Sequence, residues 1–302
     1  MTARCVVITD VGPRDGLQNQ HKILAVEQRI ALVQAIAAAG VPQIEIGSFV
    51  SPKKVPAMAA TEQVCAGLGS AGFTTPTVVL IPNMRGYELA CGANAETVTM
   101  VIYASEGMAQ KNAAMSMSDA ETVTLNILRL ATHDNIRVIV TIAVAFTCPF
   151  DGPTAPSTVT RQAEKFLLAG ADQVVLADTI GAAHPQQVQL LCAELVGRHG
   201  PERLGCHFHD TRAMGLANVY AAIESGIRHF DSSIAGLGGC PFAPGASGNV
   251  ATEDIAMMLQ QMGFDTGIDL KKLMQASDFV QTLLSSAPGG RAKAWLRSFL
   301  AQ

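Results

Sequence analysis

Gly205-Cys-His-Phe-His-Asp-Thr211 places two histidines two residues apart in an apolar run that is typical of a strand. Side chains alternate along a strand, so His207 and His209 leave the same face. Two imidazoles side by side at a strand end can share one cation, although a purely structural histidine pair is the alternative for this motif alone. The stretch therefore predicts a strand that carries a metal site if further ligands arrive from elsewhere in the chain.

A glycine-rich loop follows further along the chain. It reads Gly236-Leu-Gly-Gly-Cys-Pro-Phe-Ala-Pro-Gly-Ala-Ser-Gly-Asn249. Its five glycines give the backbone unusual freedom, so the loop could fold over a ligand or serve as a plain connector. Cys240 and Asn249 make it a candidate for chemistry, although most cysteines are small buried hydrophobes.

Apolar runs alternate with amphipathic helical patterns through the rest of the chain. Strands are predicted at residues 5–9, 43–46, 77–81, 97–103, 137–146, 173–177, 204–209 and 229–234, and helices include residues 26–39, 119–133, 157–169, 185–198 and 213–224. Strands that are apolar on both faces belong to a parallel sheet covered by helices. Eight strands, each followed by a helix, predict an α/β fold that closes into a (β/α)8 TIM barrel. We expect residues 1–302 to form one catalytic domain, with extra peripheral helices from about 266 to 302.

Polar residues cluster at the carboxyl ends of the predicted strands, where the chemistry of such barrels lies. They are Asp10, Arg14 and Asp15 after the first strand, Glu45 at the end of the second and Asp178 at the end of the sixth. Glu45 lies between two isoleucines, and a buried carboxylate needs a partner, for which Arg14 is the nearest available cation. A helix cap or a structural ion pair would explain any single one of these residues. Closure of the barrel makes the seventh, eighth, first and second strands one arc. The occurrence of these polar residues at the same ends of neighbouring strands therefore predicts a functional site.

Composition excludes several classes of protein. The chain is 49% hydrophobic and 15% charged, so it can fill a large core, and its net charge of -4 argues against a nucleic-acid surface. No apolar stretch reaches the roughly 18 residues of a membrane span. Seven cysteines without a Cys-X-X-Cys motif favour free thiols in a reducing compartment. With no signal peptide at the N-terminus, we expect a soluble cytoplasmic protein without nucleic-acid or membrane partners.

Three motifs resemble those of the 3-hydroxy-3-methylglutaryl-CoA (HMG-CoA) lyase family, which belongs to a superfamily of metal-dependent TIM-barrel lyases and acyl transferases. They are Val11-Gly-Pro-Arg-Asp-Gly-Leu-Gln-Asn19, Ser48-Phe-Val-Ser-Pro-Lys53 and the glycine-rich loop of residues 236–249. The likeness runs along nearly the whole chain, and the cysteine-containing loop is specific to the lyase branch.

The resemblance implies a divalent cation, Mg²⁺ or Mn²⁺, and a set of residues around it. It implies that Asp15, His207, His209 and Asn249 hold the cation, that Arg14 contacts the substrate's carbonyl oxygen, that Cys240 transfers a proton, and that Glu45 supports the site, where we also expect Asp178 and Asp10. The residues alone leave the metal open, because imidazoles also bind zinc. Asp15 and a metal-bound water are both candidates for the general base.

The implied reaction is cleavage of HMG-CoA, or of a closely related 3-hydroxyacyl-CoA, to acetyl-CoA and acetoacetate or the corresponding keto acid. The resemblance also implies a homodimer and a place in leucine degradation and ketone-body formation. Two alternatives stay open: an acetyl-CoA-condensing synthase of the same superfamily, and a catalytically silent barrel that acts as a binding subunit. Cys240 and its neighbours in the loop favour the lyase.

Two segments depart from the familiar lyases and leave the acyl group open. Gln20-His21 replaces an acidic–basic pair, and Asp210-Thr-Arg-Ala-Met-Gly215 lacks the usual tyrosine-glycine-glutamine run after the threonine. We expect Arg212 to lie close to the mouth of the site. Three lysines on loops at the same end, Lys22, Lys53 and Lys54, are candidates for contacts with the phosphates of CoA.

Overall fold

Eight parallel strands close into a barrel in the computed structural model, which describes residues 4–239, 248–285 and 289–300. The strands are β1 (Val7–Asp10), β2 (Gln43–Ser48), β3 (Thr77–Leu80), β4 (Thr97–Tyr103), β5 (Arg137–Ala143), β6 (Thr147–Cys148), β7 (Gly152–Pro153), β8 (Gln173–Asp178), β9 (Leu204–Phe208) and β10 (His229–Ser232). The strands β6 and β7 form a separate antiparallel hairpin. The other eight follow one another around the barrel in chain order, and β10 pairs with β1.

Helices surround the barrel. They are α1 (Val26–Ala38), α2 (Thr61–Ser70), α3 (Met84–Gly92), α4 (Glu106–Ala113), α5 (Met117–Asp134), α6 (Pro156–Leu168), α7 (Pro185–His199), α8 (Gly215–Glu224), α9 (Thr252–Gln261), α10 (Leu270–Leu284) and α11 (Lys293–Leu300). The predicted (β/α)8 TIM barrel with additional C-terminal helices is therefore confirmed. No described helix is long and apolar enough to cross a lipid bilayer.

The strand ends differ from the predicted ones by up to three residues, for local reasons. The fifth strand ends at Ala143 rather than at residue 146, because Val144 has a left-handed φ of 51° and leaves the sheet. Hydroxyl groups hold this turn on both sides: Thr179 Oγ1 accepts the Val144 N–H, and Thr154 Oγ1 donates to its carbonyl. The first strand begins only at Val7, because Cys5 pairs with Asp265 outside the barrel.

The C-terminal helices pack on the outside of the barrel. Helix α10 lies against α1, and Lys293 at the start of α11 donates to Ser277 Oγ at 2.9 Å and pairs with Asp278 at 3.0 Å, both on α10. Inside the barrel, Val78, Ile139 and Val175 form a small apolar cluster, and Val78 and Ile139 line the cavity described below. The assignment of the whole chain to a single catalytic domain stays a prediction.

Candidate metal centre and active site

Three of the predicted ligands lie together at the carboxyl-terminal rim of the barrel. His207 is in β9 and His209 follows that strand, with 5.1 Å between the ring centroids, and Asp15 is in the π-helical turn Gly12–Gly16 that follows β1. One nitrogen of each imidazole and one carboxylate oxygen of Asp15 all lie within 4.8 Å of one another. The closed barrel produces this proximity, since β10 alone separates β9 from β1. These three residues are therefore a candidate metal site.

Hydrogen bonds fix the orientation of both rings. His209 Nδ1 lies 2.9 Å from the carbonyl oxygen of Asp178, which can only accept, so Nδ1 carries the proton and the lone pair is on Nε2. His207 Nδ1 lies 3.1 Å from Asp231 Oδ2 in the same way. Burial lowers the pKa of His209 to about 4, so this ring is neutral at neutral pH. Burial also opposes the charged form of His207, but the hydrogen bond and charge of Asp231 outweigh it and raise the pKa of His207.

Asn249 supplies an independent test of whether a cation fits. Its Nδ2 donates to Asp15 Oδ2 at 2.7 Å and to the carbonyl oxygen of Leu237 at 3.0 Å, which fixes the orientation of the amide. Its Oδ1 is buried and has no hydrogen-bond partner within the described part of the chain. An unpaired buried acceptor costs about 1–3 kcal/mol, and a bound cation would remove that cost. A carboxylate, an amide oxygen and two imidazoles are donors that suit a divalent ion.

Arg14 is held beside the site by two carboxylates. Its Nε and Nη2 donate to the two oxygens of Glu45 at 2.8 and 2.9 Å, and its Nη1 donates to Asp15 Oδ1 at 2.8 Å. This bidentate pairing is the partnership predicted for Glu45, whose strand carries a bulge between Glu45 and Gly47. Burial would lower the pKa of Arg14, but Glu45 and Asp15 outweigh burial and raise it, so the guanidinium stays charged.

The same contacts set the protonation of the acids. Burial would raise the pKa of the Asp15 carboxyl, but the charges of Arg14 and His207 outweigh burial and lower it to about 2. Burial raises the pKa of Glu45, and Arg14 limits the rise. Asp15 is therefore an anion at neutral pH, as a metal ligand requires.

Asp178 and Asp10 have structural contacts rather than contacts with the cavity. The Asp178 carboxylate accepts the N–H groups of Ala182 and Ala183 at 2.8 and 3.0 Å, and burial raises its pKa to about 6. Asp10 accepts from Gly12 N at 2.8 Å and from Thr252 Oγ1 at 2.6 Å, and it is fully buried. Asp10 therefore supports the turn that carries Asp15, whereas the Asp178 carboxylate supports the loop after β8. Neither lines the main cavity.

Sequence reasoning missed Asp231 and Gln18. Asp231 in β10 orients His207, and Gln18 donates to Asp15 Oδ1 at 2.8 Å. The signal for Asp231 was a single acid at an inward-facing position of the strand His229–Ser232, next to the histidine strand. Gln18 lies within the quoted motif but has no chemistry of its own that would single it out.

A cavity of about 520 Å³ opens beside the metal site. Arg14, Asp15, Glu45, His207 and His209 line one side, and residues of β3, β4, β5 and β8 line the other. Gly239 also lines this cavity, and Asn19 Nδ2 donates to its carbonyl oxygen at 2.8 Å. Cys240, the next residue, lies outside the described residues, so its predicted role stays a prediction.

The segment that departs from the familiar lyases directs Arg212 towards the loop after β8. Arg212 donates to the carbonyl oxygens of Gly181 and Ala183 at 2.9 and 3.0 Å and does not line the main cavity. Its guanidinium is therefore engaged by the loop after β8. Among the three candidate lysines, Lys54 lines the cavity, whereas Lys22 donates to the carbonyl oxygen of Leu283.

Comparison with known proteins assigns the family. The family model described as HMGL-like matches residues 5–280. The chain is 43% identical to (R)-citramalyl-CoA lyase of Chloroflexus aurantiacus, over 92% of this chain and 91% of that protein. It is 41% identical to hydroxymethylglutaryl-CoA lyase of Pseudomonas mevalonii, over 96% of both chains.

A solved structure agrees with these relatives. An HMG-CoA lyase from Acinetobacter baumannii, in complex with coenzyme A and 3-methylmalate, superposes with a TM-score of 0.90 at 37% identity, over 97% of this chain and 96% of that one. The resemblance found in the three motifs is thereby confirmed over nearly the whole chain. The chain belongs to the HMGL-like family and is a carbon–carbon lyase.

Proposed function

We propose that this protein is a divalent-metal-dependent lyase that cleaves HMG-CoA, or a closely related 3-hydroxyacyl-CoA, to acetyl-CoA and acetoacetate or the corresponding keto acid. One observation carries the proposal: Asp15, His207 and His209 converge beside Arg14 on the wall of one cavity. The relative at 41% identity is named a hydroxymethylglutaryl-CoA lyase, and the HMG-CoA lyase at 37% identity was solved with coenzyme A.

The proposed reaction breaks the bond between C2 and C3 of the acyl chain. The 3-hydroxyl loses its proton and becomes a ketone, and the electron pair of the broken bond passes to C2 as a thioester enolate. The enolate then takes a proton at C2, which gives acetyl-CoA. The site must therefore stabilise negative charge at two oxygens, accept one proton and return one.

Asp15, His207, His209 and Asn249 would hold the cation. When bound, a divalent ion lowers the pKa of the substrate hydroxyl and fixes its position. The two oxygen donors favour Mg²⁺ or Mn²⁺, which we propose as the native ions. Glu45, Asp178 and Asp231 act through these residues by fixing Arg14 and the two rings.

Arg14 is placed to stabilise the enolate. A guanidinium has five N–H donors, and the contacts with Glu45 and Asp15 use three of them. Two donors remain for the thioester oxygen, where charge develops in the transition state. Since Arg14 is already held by Glu45, little reorganisation is needed when that charge forms.

The reaction needs a base for the 3-hydroxyl and an acid for C2, and Asp15 and Cys240 are the predicted candidates. The pKa of Asp15, about 2, makes its carboxylate a weak proton acceptor, which supports its role as a ligand over its predicted role as base. Cys240 is our proposed proton donor to C2. Its neighbour Gly239 lines the cavity and is held by Asn19, which supports this assignment.

A second substrate has its own support. The relative at 43% identity is named a citramalyl-CoA lyase, and citramalyl-CoA is shorter than HMG-CoA by one methylene group. The same bond cleavage would then give acetyl-CoA and pyruvate. Lys54 on the cavity wall suits the phosphates of CoA in either case. The homodimer stays a prediction.

A substrate panel tests the proposed function. The purified chain is incubated with HMG-CoA or citramalyl-CoA in the presence of Mg²⁺, Mn²⁺ or a chelator, and acetyl-CoA is measured. We expect acetyl-CoA from at least one substrate, loss of activity with the chelator and recovery with added metal. Release of free CoA from acetyl-CoA and an α-keto acid would instead favour the synthase, and absence of both turnover and calorimetric metal binding would favour the silent barrel.

A further inference from the structure

Two of the proposed ligands, His209 and Asn249, lie on separate segments of the chain that pair side by side. They form an isolated antiparallel bridge, and the N–H of Asp210 donates to the carbonyl oxygen of Gly248 at 3.1 Å. His209 follows β9, whereas Asn249 lies just before α9. The spacing of these two ligands therefore depends on how firmly the segment after β9 is held against α9.

The C-terminal segment before α11 is fastened to the first turn of α9 by backbone donors. The N–H groups of Arg291 and Ala292 donate to the two carboxylate oxygens of Asp254 at 2.8 and 2.9 Å. The Gly290 N–H donates to Glu253 Oε1 at 2.9 Å, and both acids are buried. A Cβ atom at Gly290 would lie 2.4 Å from Asp254 Oδ1, so this close approach requires a glycine. Because the main chain makes these contacts, a change of side chain at residue 291 leaves them in place.

The side chain of Arg291 reaches the other segment. Its Nε donates to the Asp210 carboxylate, and its Nη2 donates to the Asp210 carbonyl oxygen at 3.2 Å. The same carboxylate also accepts the Gly215 N–H at 2.9 Å, which fixes it at the start of α8. The Asp210 side chain is only 17% exposed, so its pairing with a guanidinium is stronger than that between two exposed charges. Arg291 thus links the residue after His209 to the helix after Asn249.

We propose that Arg291 is a positioning residue for the metal site, which holds His209 and Asn249 at the spacing that one cation needs. The inference rests on the proposed function only in taking these two residues as ligands of the same ion. Arg291 does not line the main cavity, so its effect should fall on metal binding rather than on contact with an acyl-CoA. The C-terminal segment, which the sequence indicated only as peripheral, then acts on the rim of the barrel.

Hydrogen exchange of the metal-free chain, measured by NMR, tests the contact without any ion. Arg291→Gln removes the charge and keeps the backbone contacts with α9. We expect the amide of Asp210, which reports the pairing with Gly248, to exchange at least about threefold faster in this variant, as for loss of one partly exposed ion pair. Arg297→Gln is the matched control, because Arg297 lies in the same C-terminal segment, is 54% exposed against 58% for Arg291, and pairs with Asp278 on α10. It should leave the exchange at Asp210 unchanged.

Calorimetric titration with Mn²⁺ tests the consequence for the metal. Arg291→Gln should raise the dissociation constant of Mn²⁺ by about threefold to fivefold. Arg291→Lys should recover part of that loss because it restores the charge, and Arg297→Gln should match the wild type. Unchanged exchange at Asp210, or equal effects of the two arginine-to-glutamine substitutions, would overturn the proposal. A wild type that binds no Mn²⁺ would contradict the proposed function itself, whereas normal binding by the wild type with an unchanged affinity in Arg291→Gln would contradict only the positioning role.

Discussion

At the scale of single residues, the site depends on how buried charges are paired. Arg14 is the central case, because it contacts Glu45 through two hydrogen bonds and Asp15 through a third. A buried cation that loses its partner costs far more than an exposed one. The stability of the rim and the orientation of Arg14 are therefore set by the same contacts.

Glu45→Gln should lower the free energy of unfolding by about 3 kcal/mol, because glutamine is neutral and offers one acceptor where Arg14 needs two. Urea denaturation measures this. Glu88→Gln is the control, since Glu88 pairs with Arg85 on the surface with both side chains more than half exposed, and it should change stability by less than about 1 kcal/mol. Equal effects of the two substitutions would contradict the pairing argument.

Asp10 should make stability depend on pH. Burial raises its pKa to about 7, whereas the carboxyl has a pKa of about 3.9 in an unfolded chain. Between those values the folded chain holds a proton that the unfolded chain has released. The free energy of unfolding then falls as pH rises, by up to about 1.4 kcal/mol per pH unit from this group.

Urea denaturation of the wild type and of Asp10→Asn at pH 5 and pH 7 isolates the contribution. Other buried acids titrate in both proteins, so the difference between the two pH dependences belongs to Asp10. We expect the variant to lose less stability between pH 5 and pH 7 than the wild type does. Identical pH dependences would show that the Asp10 carboxyl titrates normally.

At the scale of elements, the loop after β9 contains a backbone position that is strained for its residue. The loop after β9 holds Ala213 at a φ of 58°, where an L-residue other than glycine is strained. The orientation of Arg212 towards the loop after β8 follows from this turn, and no pattern of residue types would have indicated it.

Ala213→Gly should raise the free energy of unfolding by about 0.5–1 kcal/mol, because glycine adopts the left-handed conformation without strain. Ala217→Gly is the matched control: it makes the same change at an exposed position inside α8 and should lower stability by about 1 kcal/mol. Thermal or urea unfolding distinguishes the opposite signs. A loss of stability in both variants would refute the strain at Ala213.

The glycine-rich loop carries the proposed proton donor. Cys240→Ala should reduce kcat by about 10²- to 10⁴-fold, the range for loss of a general acid, with the affinity for Mn²⁺ unchanged because the thiol is not a proposed ligand. Steady-state kinetics and calorimetry test the two halves separately. Full activity in the variant would remove Cys240 from the mechanism.

At the scale of the whole molecule, closure of the barrel was the most useful prediction from the sequence. Eight apolar runs predicted the closed sheet, and closure predicted that the ends of the first and seventh strands belong to one arc. The resemblance implied that Asp15, His207 and His209 hold one ion, and these three residues do lie together. Asp231 escaped notice because a lone acid in a short strand matches no motif. The short helices α2, α3, α4 and α9 were not among those named from the sequence.

Calorimetric titration of Mn²⁺ into the wild type and into His209→Ala addresses the central claim most directly. We predict one tightly bound Mn²⁺ per wild-type chain and a loss of affinity of at least about tenfold in the variant, since one of the imidazole ligands is gone. An unchanged stoichiometry and affinity in His209→Ala would contradict the claim that Asp15, His207 and His209 hold a single ion.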